Sequence, residues 1–457
     1  WLDVGVLRGT GEIKANGFNG SYNNSGGGGG GRIAVYYDAL DGFDLTTSKV
    51  IAQGGRGYVT GTHGGPGTIY TKDKAATLGA LRIDNGSVGT AGPTVVLTAA
   101  EITEPLTINN ASVEITGNVT QPLTFNNASV VFSGNTMVPF LTATNSTITY
   151  TGTLSLPGTI TLSGGTFTSQ NQGTLVLPNN DLVVDGFTYV MDGAQTWNTI
   201  TVRNSGVITM SEAVDAASSK LVINTTSLSI DASSRIDVSN KGLLPSAGVT
   251  GRSGGSYGGR GGDGNGGASN PTYGDYKQPL DFGTGGISDQ TGYTNPTRGG
   301  GAIKIVADEM VLNGKIWAHG QYRANYYGGG SGGSIWLDVG VLRGTGEIKA
   351  NGFNGSYNNS GGGGGGRIAV YYGALDGFGL TSTTKVTVNG GNGYTAPNGE
   401  PGSIFITNKS IPVVVLSTVP AGPTNQDINA IQVNFISAID GAHSRWMMLS
   451  SRVPVVR

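Results

Sequence analysis

The sequence predicts an all-β fold, a right-handed parallel β-helix with long glycine-rich loops, followed by a partial β-sandwich-like segment at the carboxyl end. Two observations predict this class. Apolar residues alternate with Thr, Ser and Asn at the period of two typical of strands, and strand-like segments recur at regular spacing. Glycine fills 81 of 457 positions and charged residues only 12 %. A repeat architecture accounts for this departure from globular averages.

The glycine-rich runs lead into the same kind of strand start. The isoleucines at four successive starts lie 32, 33 and 36 residues apart: Ile303, Ile335, Ile368 and Ile404. Ile33 and Ile69 repeat the spacing of 36. Constant spacing at a buried residue type predicts that these strands lie side by side in register.

A second strand follows within each unit. Ile316 comes 13 residues after Ile303, and Ile348 comes 13 after Ile335. We expect the same step from Ile223 to Ile236. Each unit is therefore predicted to be a strand, a turn, a second strand and a glycine-rich loop that extends from one corner.

The middle of the chain repeats over a shorter distance. LTINNASVEITGN, at Leu106–Asn118, and LTFNNASVVFSGN, at Leu123–Asn135, are 17 residues apart. Asn and Gly punctuate these strands because both tolerate positive φ at turns. Helical periodicity is nearly missing, and only Ser211–Leu221 is predicted as a short helix.

A unit of this size cannot bury its own apolar face. Stacked on its neighbours, it pairs its backbone groups above and below and closes a continuous core. A β-sandwich or propeller would need hairpin signals between adjacent strands, which are not systematic here. The pattern therefore favours the parallel β-helix.

Composition excludes several function classes. The formal net charge is only −2, so no surplus of positive charge favours binding to nucleic acid. No apolar run approaches the length of a membrane-spanning helix. Cysteine is absent, which excludes disulfides, thiol nucleophiles and cysteine-ligated metals.

The segment Trp1–Tyr37 recurs without a change as Trp336–Tyr372. The repetition predicts that the chain is a fragment of a longer polypeptide, because the first copy lacks the residues GGGSGGSI that precede the second copy. The alternative is an error of sequence assembly at the repeat. The predicted divisions are 1–92, glycine-rich rungs; 93–215, short Asn/Thr-rich rungs; 216–410, glycine-rich rungs; 411–442 and 443–457, as described below.

The combination GGGSGGSIWLDVGVLRGTGEIKANG, GGGGGGRIAVYY and GGPGTIY resembles glycine-rich parallel β-helix regions of very large secreted or surface proteins of bacteria. It covers roughly 1–92 and 221–410. Such regions usually act as stalks, scaffolds or adhesive surfaces. The resemblance therefore implies an extracellular, adhesin-like structural role, with carbohydrate or cell-surface polymers and the rest of the same long polypeptide as partners.

A second resemblance begins near Ile411. The run VVVLSTVPAGPTNQDINAIQVNFISAIDGA, Val413–Ala442, looks like the opening of a bacterial Ig-like module. Ile436 departs from that pattern, and the segment is too short to bury a sandwich core. We expect a truncated module over 411–442 and an out-of-frame or disordered tail over 443–457.

The glycine-rich loops carry aromatic residues that could stack on sugar faces. These candidate ligand-binding residues are Tyr22, Tyr257, Tyr273, Tyr276, Tyr293, Tyr322, Tyr326 and Tyr327. The alternative is that each tyrosine packs on the wall of the β-helix and fixes its loop.

No cofactor is expected. GGRGGDGNGG, Gly258–Gly267, begins like a Ca²⁺-binding repeat but occurs once, which favours a flexible loop.

A β-helix enzyme acting on polysaccharide is one alternative, because such enzymes need paired carboxylates or calcium-binding acids. Asp38 and Asp44, however, correspond to Gly373 and Gly379 in the repeat, while Asp41 corresponds to Asp376. His63 corresponds to Asn398. The acidic pairs at Asp181 and Asp185 and at Asp231 and Asp237 are predicted to face solvent. These exchanges favour a non-enzymatic chain with no catalytic residue.

An ice-binding solenoid is the other alternative, because flat threonine rows can order water. The candidate rows are Thr147/Thr149/Thr151/Thr153, Thr159/Thr161 and Thr166/Thr168. Threonine is also an ordinary strand former.

Overall fold

The computed structural model describes residues 1–59, 62–92, 94–290, 292, 294–381 and 383–409. This part of the chain is all-β, with 41 % of residues in strands and 3 % in helix. The predicted Ig-like start at 411–442 and the predicted tail at 443–457 lie outside the described residues.

The first strands alternate with glycine-rich segments: β1 (Leu2–Arg8), β2 (Ile13–Lys14), β3 (Arg32–Asp41), β4 (Val50–Ile51), β5 (Thr68–Asp73) and β6 (Ala80–Asp84). The middle strands are short: β7 (Val95–Thr98), β8 (Leu106–Asn109), β9 (Ser112–Thr116), β10 (Leu123–Asn126), β11 (Ser129–Ser133), β12 (Thr136–Met137), β13 (Leu141–Thr144), β14 (Thr147–Tyr150), β15 (Thr153–Ser155), β16 (Ile160–Ser163), β17 (Thr166–Ser169), β18 (Thr174–Val176), β19 (Asp181–Asp185) and β20 (Thr188–Val190). The later strands alternate long and short: β21 (Gly193–Arg203), β22 (Val207–Thr209), β23 (Leu221–Ile230), β24 (Arg235–Asp237), β25 (Ala302–Leu312), β26 (Lys315–Trp317), β27 (Ser334–Arg343), β28 (Glu347–Lys349), β29 (Arg367–Asp376), β30 (Val386–Thr387) and β31 (Ser403–Asn408). Short 3₁₀ helices span Gly86–Ala91, Ala99–Glu101 and Pro178–Asn180.

These strands form long sheets between which the chain alternates. An eight-stranded sheet runs β1-β3-β5-β6-β8-β10-β13-β16, and an eleven-stranded sheet collects β7, β9, β11, β14, β17 and the even strands β20–β30. A seven-stranded sheet holds the odd strands β19–β31. Every strand pair in the described chain is parallel except β5 with β6, which is antiparallel. This topology is compatible with a β-helix. We call the chain between two successive visits to one sheet a rung.

Apolar side chains stack in columns through successive rungs. One column crosses the whole eleven-stranded sheet in register: Val95, Val113, Val130, Ile148, Phe167, Tyr189, Ile208, Ile236, Ile316, Ile348 and Val386. All of these except Val95 are buried. Each rung therefore covers the apolar face of its neighbour, which is the source of stability in a repeat stack.

The register predicted from spacing is confirmed. The isoleucines at the strand starts lie opposite one another in β25, β27, β29 and β31: Ile303, Ile335, Ile368 and Ile404. Ile33 lies opposite Ile69, and the repeat of 17 places Leu106 opposite Leu123. The same inward position recurs because a shift by one residue would turn each inward side chain outward. Ile404 lies on the edge strand β31 and is 42 % exposed.

The predicted step from Ile223 to Ile236 is wrong. Leu221 lies opposite Ile303, so Ile223 faces Ile305 one alternation further along the strand. The turn after β23 contains four residues, 231–234, where the next rung has two, 313–314. The longer turn absorbs the two-residue offset and restores register at Ile236.

The asparagine turns of the middle rungs behave as predicted. Asn110, Asn127 and Asn145 all have φ near +50° between paired strands. Their backbone N–H groups each bond to the carbonyl of the next rung, as for Asn110 to Asn126 at 3.0 Å. Asparagine fits because its short polar side chain tolerates the left-handed region.

The predicted helix at 211–221 is wrong. Leu221 begins β23, and residues 211–220 form turns. The Ser218 hydroxyl accepts the N–H groups of Val214 at 3.0 Å and Asp215 at 3.1 Å, while the Asp215 carboxylate accepts the N–H of Ala217. Such side-chain bonds replace the helical backbone bonds, as Ser and Asp commonly do.

The glycine-rich segments pack against one another and do not extend as free loops, which corrects that part of the prediction. We call this packed region the glycine layer; it comprises residues 250–267, 283–287, 297–301, 319–334, 351–366 and 389–402. Gly361 to Gly366 are all buried. The segment 258–267, predicted as a flexible loop, contains several buried glycines of this layer.

Backbone hydrogen bonds hold the glycine layer together. The Gly363 N–H donates to the Phe353 carbonyl, Gly391 to Gly363, and Gly399 to Gly391, each at 2.8 Å. A Cβ on Gly363 would lie 2.0 Å from the Gly330 carbonyl oxygen. Only glycine permits this approach, for the same reason that collagen requires it at its axis.

A row of side-chain acceptors ties the corners of consecutive rungs. The Ser239 hydroxyl accepts the N–H of His319 at 3.0 Å, His319 Nδ1 accepts the N–H of Asn351 at 3.1 Å, and Asn351 Oδ1 accepts the N–H of Asn389 at 2.8 Å. Burial lowers the pKa of His319 and outweighs the opposing attraction of Asp237. The neutral imidazole is the form that can accept.

We expect acid to destabilise the protein through His319. Because its pKa is lower in the folded chain, stability from the neutral ring is complete above about pH 6.5 and falls as the pH drops below it. The variant His319→Asn keeps an acceptor that does not titrate. Urea unfolding at pH 7.5 and 5.5 should show a smaller pH difference for the variant, and an equal difference would contradict this role.

Candidate functional site

The structure separates the eight predicted tyrosines into buried and exposed sets. Tyr257 and Tyr327 are buried, and Tyr273 and Tyr326 are half-buried. Tyr22, Tyr276 and Tyr322 are exposed. Tyr293 lies outside the described residues.

Tyr257 and Tyr273 do not fit the prediction of ligand-binding residues on loops, because both are held by contacts within the packed chain. The Tyr257 hydroxyl lies 2.6 Å from the Ser334 hydroxyl, and burial raises the pKa of Tyr257 to about 12. Tyr273 donates to the Phe282 carbonyl at 2.5 Å, and burial also raises its pKa. The Arg367 guanidinium lies 5.4 Å from the centroid of the Tyr257 ring. Tyr257 is therefore a buried residue of the packed core, and Tyr273 is a half-buried one held to the Phe282 carbonyl.

Tyr276 packs beside the outer face of the seven-stranded sheet. Its ring lies edge-on to Phe405 with centroids 5.9 Å apart, and the Lys277 ammonium is 5.7 Å from the Tyr276 centroid. Phe405 in turn contacts Tyr371 at 5.6 Å. Tyr276 is therefore the rim of an aromatic cluster that fixes the segment to the sheet.

An aromatic row lies at the tip of the glycine layer. Tyr326, Tyr357 and Tyr394 come from three consecutive rungs, and we call them the tip ladder. The centroids of Tyr326 and Tyr357 are 5.0 Å apart with edge-to-face rings, and those of Tyr357 and Tyr394 are 5.6 Å apart and stacked. Tyr357 and Tyr394 are each 47 % exposed. Beside them Tyr322 contacts Phe353 at 6.1 Å, which widens the surface.

The backbone beneath the tip ladder is held in an unusual conformation. Tyr326 has φ +63°, and Asn358 and Asn359 beside Tyr357 also have positive φ. A tyrosine in the left-handed region costs free energy and persists only where its surroundings impose it. The Ser356 hydroxyl accepts the Tyr327 N–H at 3.0 Å, and the Tyr394 N–H donates to the Ser360 carbonyl at 2.8 Å. These bonds fix the rings in place.

A basic group completes one end of the tip ladder. The Arg252 guanidinium lies 4.6 Å from the centroid of the Tyr326 ring. Its Nε donates to Asp289 at 2.7 Å and its Nη1 to the Asn358 carbonyl at 2.6 Å. Hydrogen bonding to the carboxylate and the carbonyl orients the guanidinium, which adds a cation–π contact to Tyr326.

Sequence reasoning missed most of this surface. It selected Tyr22, Tyr322 and Tyr326 but left out five aromatic residues: Phe18, Tyr58, Phe353, Tyr357 and Tyr394. The internal duplication could have found Tyr357, since the selected Tyr22 recurs there, and it pairs Phe18 with Phe353 in the same sequence context. Phe18 and Tyr22 in the first copy, Trp1–Tyr37, and Tyr58 after it are exposed as well.

The exchange of His63 for Asn398 has a structural explanation. His63 Nδ1 accepts the N–H of Gly57 at 2.8 Å. Asn398 Oδ1 accepts the N–H of Gly393 at 2.9 Å at the same place in the repeat. Both side chains fix the same turn, so neither chain position requires the acid–base chemistry of an imidazole.

The candidate acids form exposed ion pairs between rungs. Lys74 contacts Asp3 and Asp38, each at 3.0 Å, and Arg8 pairs with Asp41 at 3.0 Å. The second copy contains the equivalents of two of these ion pairs. Lys409 with Asp338 corresponds to Lys74 with Asp3, and Arg343 with Asp376 corresponds to Arg8 with Asp41. Exposed ion pairs of this kind contribute little stability. These acids therefore serve as surface contacts between rungs.

The calcium-like segment holds its acid by protein contacts. The Asp263 carboxylate accepts the Ser269 N–H at 2.8 Å and pairs with Arg260 at 2.9 Å. In the described part of the chain no group of three or more His, Asp or Glu side chains is arranged to hold a metal ion. Within the same residues, no helix is long and apolar enough to cross a bilayer.

A cleft of about 460 Å³ opens between β16 and β19, where one sheet gives way to another. Its walls are mainly apolar, and it includes the predicted acidic pair Asp181 and Asp185. Asp181 accepts the Thr199 hydroxyl at 2.7 Å, and Asp185 pairs with Arg203 at 2.8 Å. A hydrogen bond from Asn204 lowers the pKa of Asp185, which keeps it ionised. Both carboxylates therefore bind side chains of the neighbouring strand β21 and join adjacent rungs.

Threonine rows run across the sheets, although partly at other positions than predicted. Thr147 and Thr166 lie opposite each other, and Thr149 lies opposite Thr168. A longer row crosses β8, β10, β13 and β16: Thr107, Thr124, Thr142 and Thr161. The ice-binding alternative remains a prediction.

Comparison of the chain with models of protein families, with curated proteins and with solved structures finds no match. The parallel sheets, the glycine layer and the tip ladder are therefore the features of the molecule that bear on its function.

Proposed function

We propose that the chain is a non-enzymatic structural and adhesive region of a large secreted or surface-attached bacterial protein, and that it binds carbohydrate or cell-surface polymers. The observation that carries the proposal is the tip ladder. Its rings come one from each of three rungs, on backbone that hydrogen bonds hold in a strained conformation. Rings fixed before binding lose little entropy when a ligand stacks on them.

The scaffold in this proposal is a closed, right-handed parallel β-helix. Parallel strands in one sheet are joined by right-handed crossovers in nearly all proteins, which gives the hand. The apolar column through eleven strands supports stacking, and the glycine layer supports a rigid platform beneath the rings. The exchange of His63 for Asn398 supports a role without catalysis.

Carbohydrate is the ligand class that suits the tip ladder. The C–H face of a sugar ring is apolar and stacks on an aromatic face, while its hydroxyls can bond to the polar groups at the rim. Neighbouring rings in the tip ladder lie 5.0 and 5.6 Å apart, which presents several contacts to one extended chain. A second set of exposed rings near the amino-terminal end of the chain, at Phe18, Tyr22 and Tyr58, would add avidity for a repetitive polymer.

We expect the double variant Tyr357→Ala with Tyr394→Ala to weaken polysaccharide binding about tenfold or more, because it removes the two exposed rings of the tip ladder. A glycan array with the full chain identifies the polysaccharide, and titration calorimetry measures its Kd.

The matched control is Tyr357→Phe with Tyr394→Phe, which keeps both rings and removes only the hydroxyls. It should retain most of the affinity. The proposal fails if the full chain binds no polysaccharide, or if the alanine and phenylalanine variants bind alike. Shortening of the polysaccharide in the presence of the chain would support the enzyme alternative instead.

A further inference from the structure

The duplicated sequence lies in two different environments. In the second copy, β27 is hydrogen-bonded on both sides, to β25 and to β29. In the first copy, β1 pairs with β3 and is the edge strand of the eight-stranded sheet. Identical residues thus serve as an internal comparison of a covered and an uncovered rung.

Inward-facing apolar residues are exposed in the first copy. Leu2 is 36 % exposed, whereas its counterpart Leu337 is 0 % exposed beneath Ile305. Ile13 is half-buried, and its counterpart Ile348 is fully buried. The first copy therefore presents an open sheet edge next to apolar side chains that the second copy buries.

The glycines show the same difference between a covered second copy and an uncovered first copy, here in the space around the backbone. A Cβ on Gly364 would lie 2.0 Å from the Gly259 carbonyl oxygen, so that residue must be glycine in this fold. Its counterpart Gly29 has nothing within 4 Å of the Cβ position and no positive φ. Contacts within the described chain give no reason for glycine at Gly29, whereas a covering segment would.

A cation in the first copy also lacks the contacts of its counterpart. Arg367 donates to the Tyr273 carbonyl from Nε at 3.0 Å and from Nη2 at 2.7 Å, and it lies beside the Tyr257 ring. The equivalent Arg32 is exposed. The first copy thus exposes apolar, glycine and arginine positions that the segment 250–335 covers in the second copy.

We propose that the first copy is a docking surface for one further copy of the segment 250–335, seated on Trp1–Tyr37 as 250–335 is seated on Trp336–Tyr372. The complementarity is present in this molecule, because the same 37 residues already receive that segment at Trp336–Tyr372. The occupant supplies a strand like β25 for the edge of β1 and glycine segments like 252–262 for Gly29. The proposal is independent of what the tip ladder binds.

The test uses the full chain and a version with residues 250–335 added before Trp1. The chain has no cysteine, so Leu2→Cys and Leu337→Cys are unique thiols. In the full chain, Leu2→Cys should react with a maleimide about 100-fold faster than Leu337→Cys, since reaction of the buried thiol requires local opening. In the extended chain the two rates should become similar.

Gly29→Ala provides a second measurement. It should leave the stability of the unextended chain unchanged, because its new methyl group meets open space, and it should restore fast labelling of Leu2→Cys in the extended chain. Gly364→Ala, the matched control, should destabilise the unextended chain. Unchanged labelling of Leu2→Cys in a folded extended chain would overturn the proposal. Concentration-dependent protection in the unextended chain would overturn it too, since a second whole chain would then be the occupant.

Discussion

Replacing Gly329 by alanine is expected to lower the free energy of unfolding by about 3 kcal/mol, the upper range for overpacking a tight interior. The new Cβ would lie 1.8 Å from the Phe353 carbonyl oxygen and 2.9 Å from the Gly363 nitrogen. Both neighbours are backbone atoms that cannot rotate away. The Gly329 N–H also bonds to the Gly361 carbonyl at 3.0 Å, so a shift of this segment would break the hydrogen-bonding network of the glycine layer.

The matched control is Gly11→Ala. Gly11 has nothing within 4 Å of its Cβ position and no positive φ. Its substitution should change the unfolding free energy by less than about 0.5 kcal/mol. Urea denaturation followed by circular dichroism measures both variants. Equal effects at the two positions would show that the glycine layer is not packed as described.

The strand register was predictable from the sequence because it depends on side chains that recur. Ile303, Ile335 and Ile368 occupy the same inward position in successive rungs, and each must be large and apolar to seal its neighbour. The repeat of 17 at Leu106 and Leu123 follows from the same requirement. Because every rung must place a large apolar residue at the same inward position, such residues recur in the sequence at the length of a rung.

The glycine layer was not predictable in this way. Its cohesion comes from backbone groups of segments far apart in sequence, such as the N–H of Gly262 and the carbonyl of Gly362 at 2.7 Å. Glycine has no side chain whose pattern could report which segment it contacts. Runs of glycine therefore suggested loops, although the residues are buried.

The exposure of individual tyrosines also depends on that hidden packing. Tyr257 and Tyr322 both lie in glycine-rich surroundings in the sequence, yet one is buried and the other exposed. The glycine layer places Ser334 against the Tyr257 hydroxyl and leaves Tyr322 at the tip beside Phe353. Only long-range contacts distinguish a wall tyrosine from a ligand-binding candidate.

The local errors had a different origin. The turn 231–234 is longer than its counterpart 313–314, and the sequence gives no sign of where the two extra residues are absorbed. At 211–221 the composition permits a helix, but Asp215 and Ser218 satisfy the backbone N–H groups of a turn. Side-chain hydrogen bonds decided the outcome there.

The central claim is that successive rungs stack in parallel and in register, and cysteine cross-linking tests it most directly. Thr124 and Thr142 lie opposite each other on adjacent strands, which places their Cα atoms about 4.8 Å apart. That separation lies within the range for a disulfide. Thr107 and Thr161 belong to the same row but are three strands apart, at about 14 Å.

In this chain without native cysteine, we expect Thr124→Cys with Thr142→Cys to form an intramolecular disulfide in nearly all molecules on mild oxidation. Thr107→Cys with Thr161→Cys should form none. Peptide mass mapping of the oxidised proteins identifies the bonds. Failure of the first pair to link while the protein remains folded, or equal linking of both pairs, would contradict the stacked, in-register arrangement.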